Sequence, residues 1–172
     1  MDITQLILDD HHEQRRLFAV LDQLDRAHTV GLAAVWRRLE AFLLVHAEAE
    51  ERFFYPALLR VGEGAGGKDS AEAETKDAIK DHNKLRQAIA KVQTKTIGSA
   101  DWYAAITEAR VENSEHMAEE EREGLADFRA RATLEMRHEL AVTFAVFEAE
   151  HVLGVAPVDK DPRQYMRAHS PG

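Results

Sequence analysis

One pattern constrains this chain more than any other: it writes the same helix-compatible block twice. Residues 46–52 read HAEAEER and residues 116–122 read HMAEEER, so His-x-x-x-Glu-Glu-Arg recurs at an interval of seventy residues. In an α-helix, residues four apart lie about 40° from one another around the axis. His46 and Glu50 therefore aim at one point, and so do His116 and Glu120. The segments before them repeat as well. DHHEQR at 10–15 and DHNKLR at 81–86 share the frame Asp-His-x-x-x-Arg, and the intervals from His11 to His46 and from His82 to His116 are 35 and 34 residues. The chain is thus two halves, each a helix with one histidine followed by a helix with His-x-x-x-Glu. Packed together, two such hairpins gather four histidines and two carboxylates in one interior.

The rest of the pattern supports that packing. Apolar residues recur at helical spacing and no strand-like alternation competes. A first helix is expected from about Asp2, an N-cap with Gln5 three positions on, to about Ala27, with Ile3, Ile7, Phe18, Leu21 and Leu24 on one stripe. A second runs from Leu32 to about Leu59, where Pro56 should end or kink it. GEGAGGKDS at 62–70 is the clearest loop. A third helix covers about Ala71 to Lys95, a fourth Asp101 to Phe128 and a fifth Thr133 to Leu153. The fold class is all-α: an up-down-up-down four-helix bundle over residues 1–130, a fifth helix over 131–154 packed on the bundle or a partner, and an irregular tail over 155–172.

With no cysteine in the chain, disulfides, thiolate metal sites and Cys nucleophiles are excluded. A metal would have to be held by nitrogen and oxygen, a donor set that favours iron, manganese or zinc. Six such donors exceed what one open ion uses but suit two ions, with each glutamate able to bridge them. A formal charge of −9 leaves no basic stripe for phosphates, so no nucleic-acid partner is expected. The N-terminus lacks a basic, then apolar leader and no apolar run is long enough to span a bilayer, so the expected setting is cytoplasmic, without a membrane partner.

Two histidines stand side by side at 11 and 12. His11 lies on the stripe, four after Ile7, and matches His82 in the repeated frame; His12 remains the alternative. Glu48, Glu51, Glu119, Glu121 and Glu123 read as a solvated acidic face, a reading that fails for Glu50 and Glu120 because of their histidine partners. Phe53, Phe54 and Tyr55 read as core that limits water near the site, with a proton-donor role for Tyr55 as the minor alternative. His138 and His151 on the fifth helix have no assigned role.

Four blocks, DHHEQRRLF, HAEAEERFFYP, DHNKLR and HMAEEER, resemble the hemerythrin-like, HHE cation-binding family of non-haem di-iron four-helix bundles over about residues 2–128. The resemblance implies His11, His46, Glu50, His82, His116 and Glu120 as ligands of two iron ions with an oxo or hydroxo bridge, manganese or zinc being less favoured. Oxygen-carrying hemerythrins have a second histidine on the third helix, four residues before the matching one. Here that position is Ala78, and Arg86 stands four residues after His82. The resemblance therefore implies a protein that binds or reacts with O2, H2O2 or a related small molecule, with catalase-like or peroxidase-like turnover as the enzymatic option. An iron- or oxygen-sensing or iron-handling module is the alternative. Either is expected as a monomer or as a homodimer through the fifth helix.

Overall fold

The computed structural model of the chain describes residues 1–170. It is all-helical, and among the described residues no strand occurs. Helix α1 spans Ile3–Gln23 and α2 spans Thr29–Ala49, continued by a π-helical turn Glu50–Phe54 and by α3, Tyr55–Val61. Then follow α4, Ala71–Gln93, α5, Ala100–Arg122, α6, Gly124–Arg131, α7, Leu134–Glu150, and α8, Pro162–His169. Helix α1 packs on α2, and α4 on α5, in the up-down-up-down order expected from the short connections.

The helix starts follow local chemistry. Asp2, Ser70, Ser99 and Thr133 each accept a backbone N–H from the first turn that follows, satisfying a donor with no partner inside the helix. His28 does the same through Nδ1, which accepts from Gly31. The α4–α5 turn passes through Gly98 at φ 80°, where a Cβ would sit 2.9 Å from the Arg26 carbonyl oxygen. A side chain there would strain the backbone and clash with it.

Three boundaries differ from the sequence expectation. Pro56 does not end the second helix, which runs to Val61. The Tyr55 N–H bonds to the Glu50 carbonyl five residues back, and α-helical register resumes at Pro56, the one residue with no N–H to contribute. The expected fourth helix breaks at Glu123, whose φ of −108° and ψ of −91° leave helical space, so that α5 and α6 are separate. The tail is irregular only as far as Asp161. That residue caps α8 by accepting from Gln164, and Pro162 takes the first helical position that suits it.

The core falls into two apolar clusters with a polar belt between them. One holds Ile3, Ile7, Phe54, Leu58, Phe128 and Phe144. The other holds Phe18, Leu21, Leu32, Trp36, Leu85 and Trp102. Helices α1, α2 and α4 pass from one cluster to the other, and α5 leads from the second cluster to the α6 residues Leu125 and Phe128 of the first. Between them lie buried polar residues: His11 and Gln14 on α1, His46 on α2, His82 on α4, and Asn113 and His116 on α5. Helix α7 closes the side of the bundle, packing on α1, α2 and the π-helical turn through Ala141, Phe144 and Phe147. The Phe144 ring lies 5.8 Å from that of His46, edge to face.

Because Phe144 is fully buried, Phe144→Ala should cost about 3–5 kcal/mol of unfolding free energy. Val146→Ala, two residues away on the exposed face, should stay within ~0.5 kcal/mol. Denaturant unfolding of the two variants checks this.

Candidate metal centre

Four helices bring the six side chains of the repeated motif to one place. His11, Glu50 and His82 are essentially inaccessible, and His46, His116 and Glu120 nearly so. His12, the alternative on α1, points to solvent. His46 Nε2 lies 3.0 Å from Glu50 Oε1, and His82 Nε2 lies 3.2 Å from Glu50 Oε2. His116 Nε2 approaches the same Oε2 at 3.9 Å and His82 Nε2 at 3.0 Å. His11 Nε2 stands 3.3 Å from Glu120 Oε2, and its ring is 5.3 Å from that of His46. At the centre two sets of donor atoms converge closely enough to hold an ion each, His11, His46 and Glu50, and Glu50, His82 and His116; a third set, Asp10, His46 and Glu148, lies behind His46. Glu50 belongs to both.

The hydrogen-bond ledger at this point is incomplete. Both oxygens of Glu50, Nε2 of His11 and of His46, and Oε2 of Glu120 are buried without a hydrogen-bond partner. A buried carboxylate left this way costs free energy unless something positive sits beside it. Five such atoms on four residues converge on one point, so the donor set fits a cation. Its nitrogen and oxygen composition fits iron, manganese or zinc.

The outer nitrogens of three imidazoles are held by carboxylates. His11 Nδ1 pairs with Glu121 at 2.9 Å, His46 Nδ1 with Asp10 at 3.2 Å, and His82 Nδ1 with Glu51 at 2.8 Å. Each fixes the ring and places the lone pair on Nε2, facing the centre. Glu51 and Glu121 were expected on a solvated face. Glu51 is instead 1% exposed, within the π-helical turn. There Glu50 faces the centre and Glu51 faces His82, as Glu120 and Glu121 of α5 both reach His11. Glu123, also expected in solvent, is buried at the α5–α6 break.

Burial would push Glu50 up, but His46, His116 and His82 around it hold it well below the usual carboxylate range. Burial likewise opposes charge on His82, yet Glu50 and Glu51 raise it to about 9. Glu51, also pushed up by burial, is pulled down to about 2 by His82 and Arg86. The surrounding carboxylates thus favour a proton on His11, His46 and His82.

Tyr55 lies on the inner side of α3, and its hydroxyl donates to Glu120 Oε1 at 2.7 Å. Burial and the nearby Glu120 and Glu50 push its pKa well up, so it stays a hydrogen-bond donor. Beside it a cavity of about 20 Å³ opens between α4 and α5, lined by Tyr55, Glu74, Ala78, His116 and Glu120 among others. Ala78 leaves that space unfilled. His138 bonds instead to the N-terminus and His151 stacks on Phe147, so neither reaches the centre.

A family model, the hemerythrin HHE cation binding domain, matches residues 2–126. No curated protein and no solved structure matches the chain.

Glu74 gives a pH prediction. One of its oxygens accepts from the Ala65 N–H and the other is buried without a partner. Burial, reinforced by Asp127 and Glu123, raises its pKa to about 7. The folded state thus holds this proton more tightly than the unfolded chain, whose Glu titrates near 4.5. Stability from the protonated form is full below that value and is lost as pH rises through about 7. Glu74→Gln, which keeps the acceptor for Ala65, should make the metal-free protein more stable than wild type at pH 8 by ~1–3 kcal/mol. The gap should vanish near pH 4, as measured by unfolding at both pH values.

Proposed function

The chain belongs to the hemerythrin HHE cation-binding family, and on that premise we propose that it is a non-haem di-iron protein that binds or reacts with oxygen, peroxide or a related small molecule. The observation that carries the proposal is the buried Glu50 carboxylate, unpartnered at both oxygens and shared by two His-lined sets of donors. In this reading His11, His46 and Glu50 hold one iron, Glu50, His82 and His116 hold the other, and Glu120 adds a second carboxylate beside His11. When bound, the iron pair supplies the one- and two-electron chemistry that oxygen or peroxide requires and that no side chain of this set supplies alone.

The chain's own residues define the rest. Phe54, Ile7 and Phe144 wall the centre on one side and keep water scarce, which strengthens every electrostatic interaction inside. The cavity at Ala78 is the approach for a small diatomic or peroxide ligand, since a larger molecule does not fit about 20 Å³. Tyr55 holds its proton at the edge of that cavity, directed at Glu120 Oε1. Rotation of the hydroxyl from Glu120 towards an incoming ligand would give that ligand a hydrogen bond without moving the backbone. Catalase-like or peroxidase-like turnover is the enzymatic option to assay first.

A sensing or iron-handling module is the second reading. It is favoured by the C-terminal segment, which reaches back to Glu51 through Lys160 and Tyr165 and so touches the partner of a ligand histidine. No helix among the described residues is long and apolar enough to cross a membrane. We place the protein in the cytoplasm, as a monomer or a dimer through the exposed Val142 and Val146 face of α7.

Purified protein loaded with ferrous iron under anaerobic conditions should hold about two ions per chain, the number the donor set serves. Chelation should lower Tm by roughly 5–10 °C through the lost binding free energy. Glu50→Gln should reduce the iron content to less than half, because the shared ligand is lost to both positions. Elemental analysis that finds no metal after loading would reject the proposal.

A further inference from the structure

We propose that Lys160 is a positioning residue that, through Glu51, weakens His82 as a donor and makes the two metal positions electronically unequal. This rests on the metal-binding reading above. Lys160 lies beyond the residues the family model matches, in the extended stretch before α8.

The contacts are specific. Glu51 is buried, and its two oxygens have different duties. Oε1 faces His82 Nδ1 at 2.8 Å, while Oε2 takes Arg86 Nη2 at 2.8 Å together with Lys160 Nζ. Lys160 also pairs with Glu48 at 2.8 Å. The strand of chain that carries it is clamped to α4 immediately after His82. Asn83 Nδ2 donates to the Lys160 carbonyl at 2.8 Å, and the Lys160 N–H donates to Asn83 Oδ1 at 3.0 Å. From α8, the Tyr165 hydroxyl donates to the Glu51 carbonyl within the π-helical turn. The C-terminal segment thus delivers a cation to one carboxylate and fixes the backbone of that same residue.

The other histidines are served differently. The Glu121 carboxylate behind His11 is partly exposed and has one cation, Arg15, at 2.7 Å. His46 Nδ1 faces Asp10 at 3.2 Å and Glu148 at 3.9 Å, and among the described residues neither carboxylate pairs with a lysine or arginine. A carboxylate that accepts from an imidazole N–H draws on that proton and makes the opposite nitrogen a stronger donor. Two cations on Glu51 reduce this pull. At His46 the accepting carboxylate, Asp10, has among the described residues no lysine or arginine to reduce it, and Glu148 stands behind at 3.9 Å. The iron held by His11 and His46 is therefore the more electron-rich and the easier to oxidise, and the one held by His82 and His116 the harder.

The test uses full-length protein. Zinc-loaded wild type, Lys160→Met and Lys160→Arg are compared by NMR of the imidazole Nδ1–H protons, a readout that does not depend on turnover. Lys160→Met should move the His82 resonance to lower field and leave those of His11 and His46 in place, and Lys160→Arg should return it. In iron-loaded protein, a redox titration should show Lys160→Met shifting the reduced-to-oxidised ratio of one iron ~10-fold towards oxidised without moving the other. Tyr165→Phe, which removes a hydrogen bond but no charge, should move neither. If the His82 resonance stays put in Lys160→Met, if all three move together, or if both irons shift alike, the inference is overturned. Wild type that takes up neither zinc nor iron would instead overturn the metal-binding reading itself.

Discussion

A single buried carboxylate organises this molecule. Glu50 has no accessible surface and no hydrogen bond to either oxygen, yet three imidazole nitrogens lie within 4 Å of it. Removing a carboxylate from water is tolerable only where opposite charge is close at hand. The structure supplies it from all sides: imidazoles from α2, α4 and α5, and then a ring of carboxylates and arginines behind those imidazoles. Nearer the ends of the bundle apolar packing dominates, with Glu74, Glu123 and Asp127 among the buried exceptions. The position of Glu50 explains why the core is split in two, with each long helix changing character where it passes the same level.

The split has a consequence for how the site is held. A ligand set on four separate helices is only as well placed as the helices themselves. Here the two apolar clusters grip α1, α2 and α4 above and below their ligands, while α5 is gripped by one cluster and, through α6, by the other. The π-helical turn adds a local device. It costs good α-helical hydrogen bonds, and in it Glu51 is fully buried, where its counterpart Glu121 on regular α5 stays partly exposed. The outer carboxylates then orient the imidazoles, and their differing cation partners give the two halves of a repeated sequence unequal surroundings. Internal repetition built the symmetry, down to Arg15 on Glu121 and Arg86 on Glu51; Lys160 and Glu148 break it.

Much of this was legible in the residues. The doubled His-x-x-x-Glu and Asp-His-x-x-x-Arg frames pointed to six side chains, and the structure brings those six together. The stripes placed the four long helices, and Asp2 was readable as a cap because a short acidic side chain before an apolar run has few other uses. What was not legible shares one cause. Glu51, Glu121 and Glu123 sit among so many other acidic residues that composition alone makes them a solvated face, and only neighbours distant in sequence distinguish them. The π-helical turn has no periodic signature either, since one extra residue in a turn leaves the apolar spacing on both sides intact. Pro56 was read as an end or a kink because a missing N–H normally disturbs a helix; the helix instead takes a π-helical turn just before it and continues to Val61.

By itself, then, the sequence determined which side chains meet and in what kind of helical frame, because helical period and internal repetition are local properties written within a few turns. The tertiary structure alone decided which carboxylate stands behind which imidazole, where the C-terminal segment lands, and that Lys160 and Arg86 share Glu51. Those pairings join residues 35 and 114 positions apart, as with Glu51 to Arg86 and to Tyr165. Nothing local selects among a chain's many carboxylates and cations. Only burial does, by making an unpaired charge too costly to leave where packing has put it.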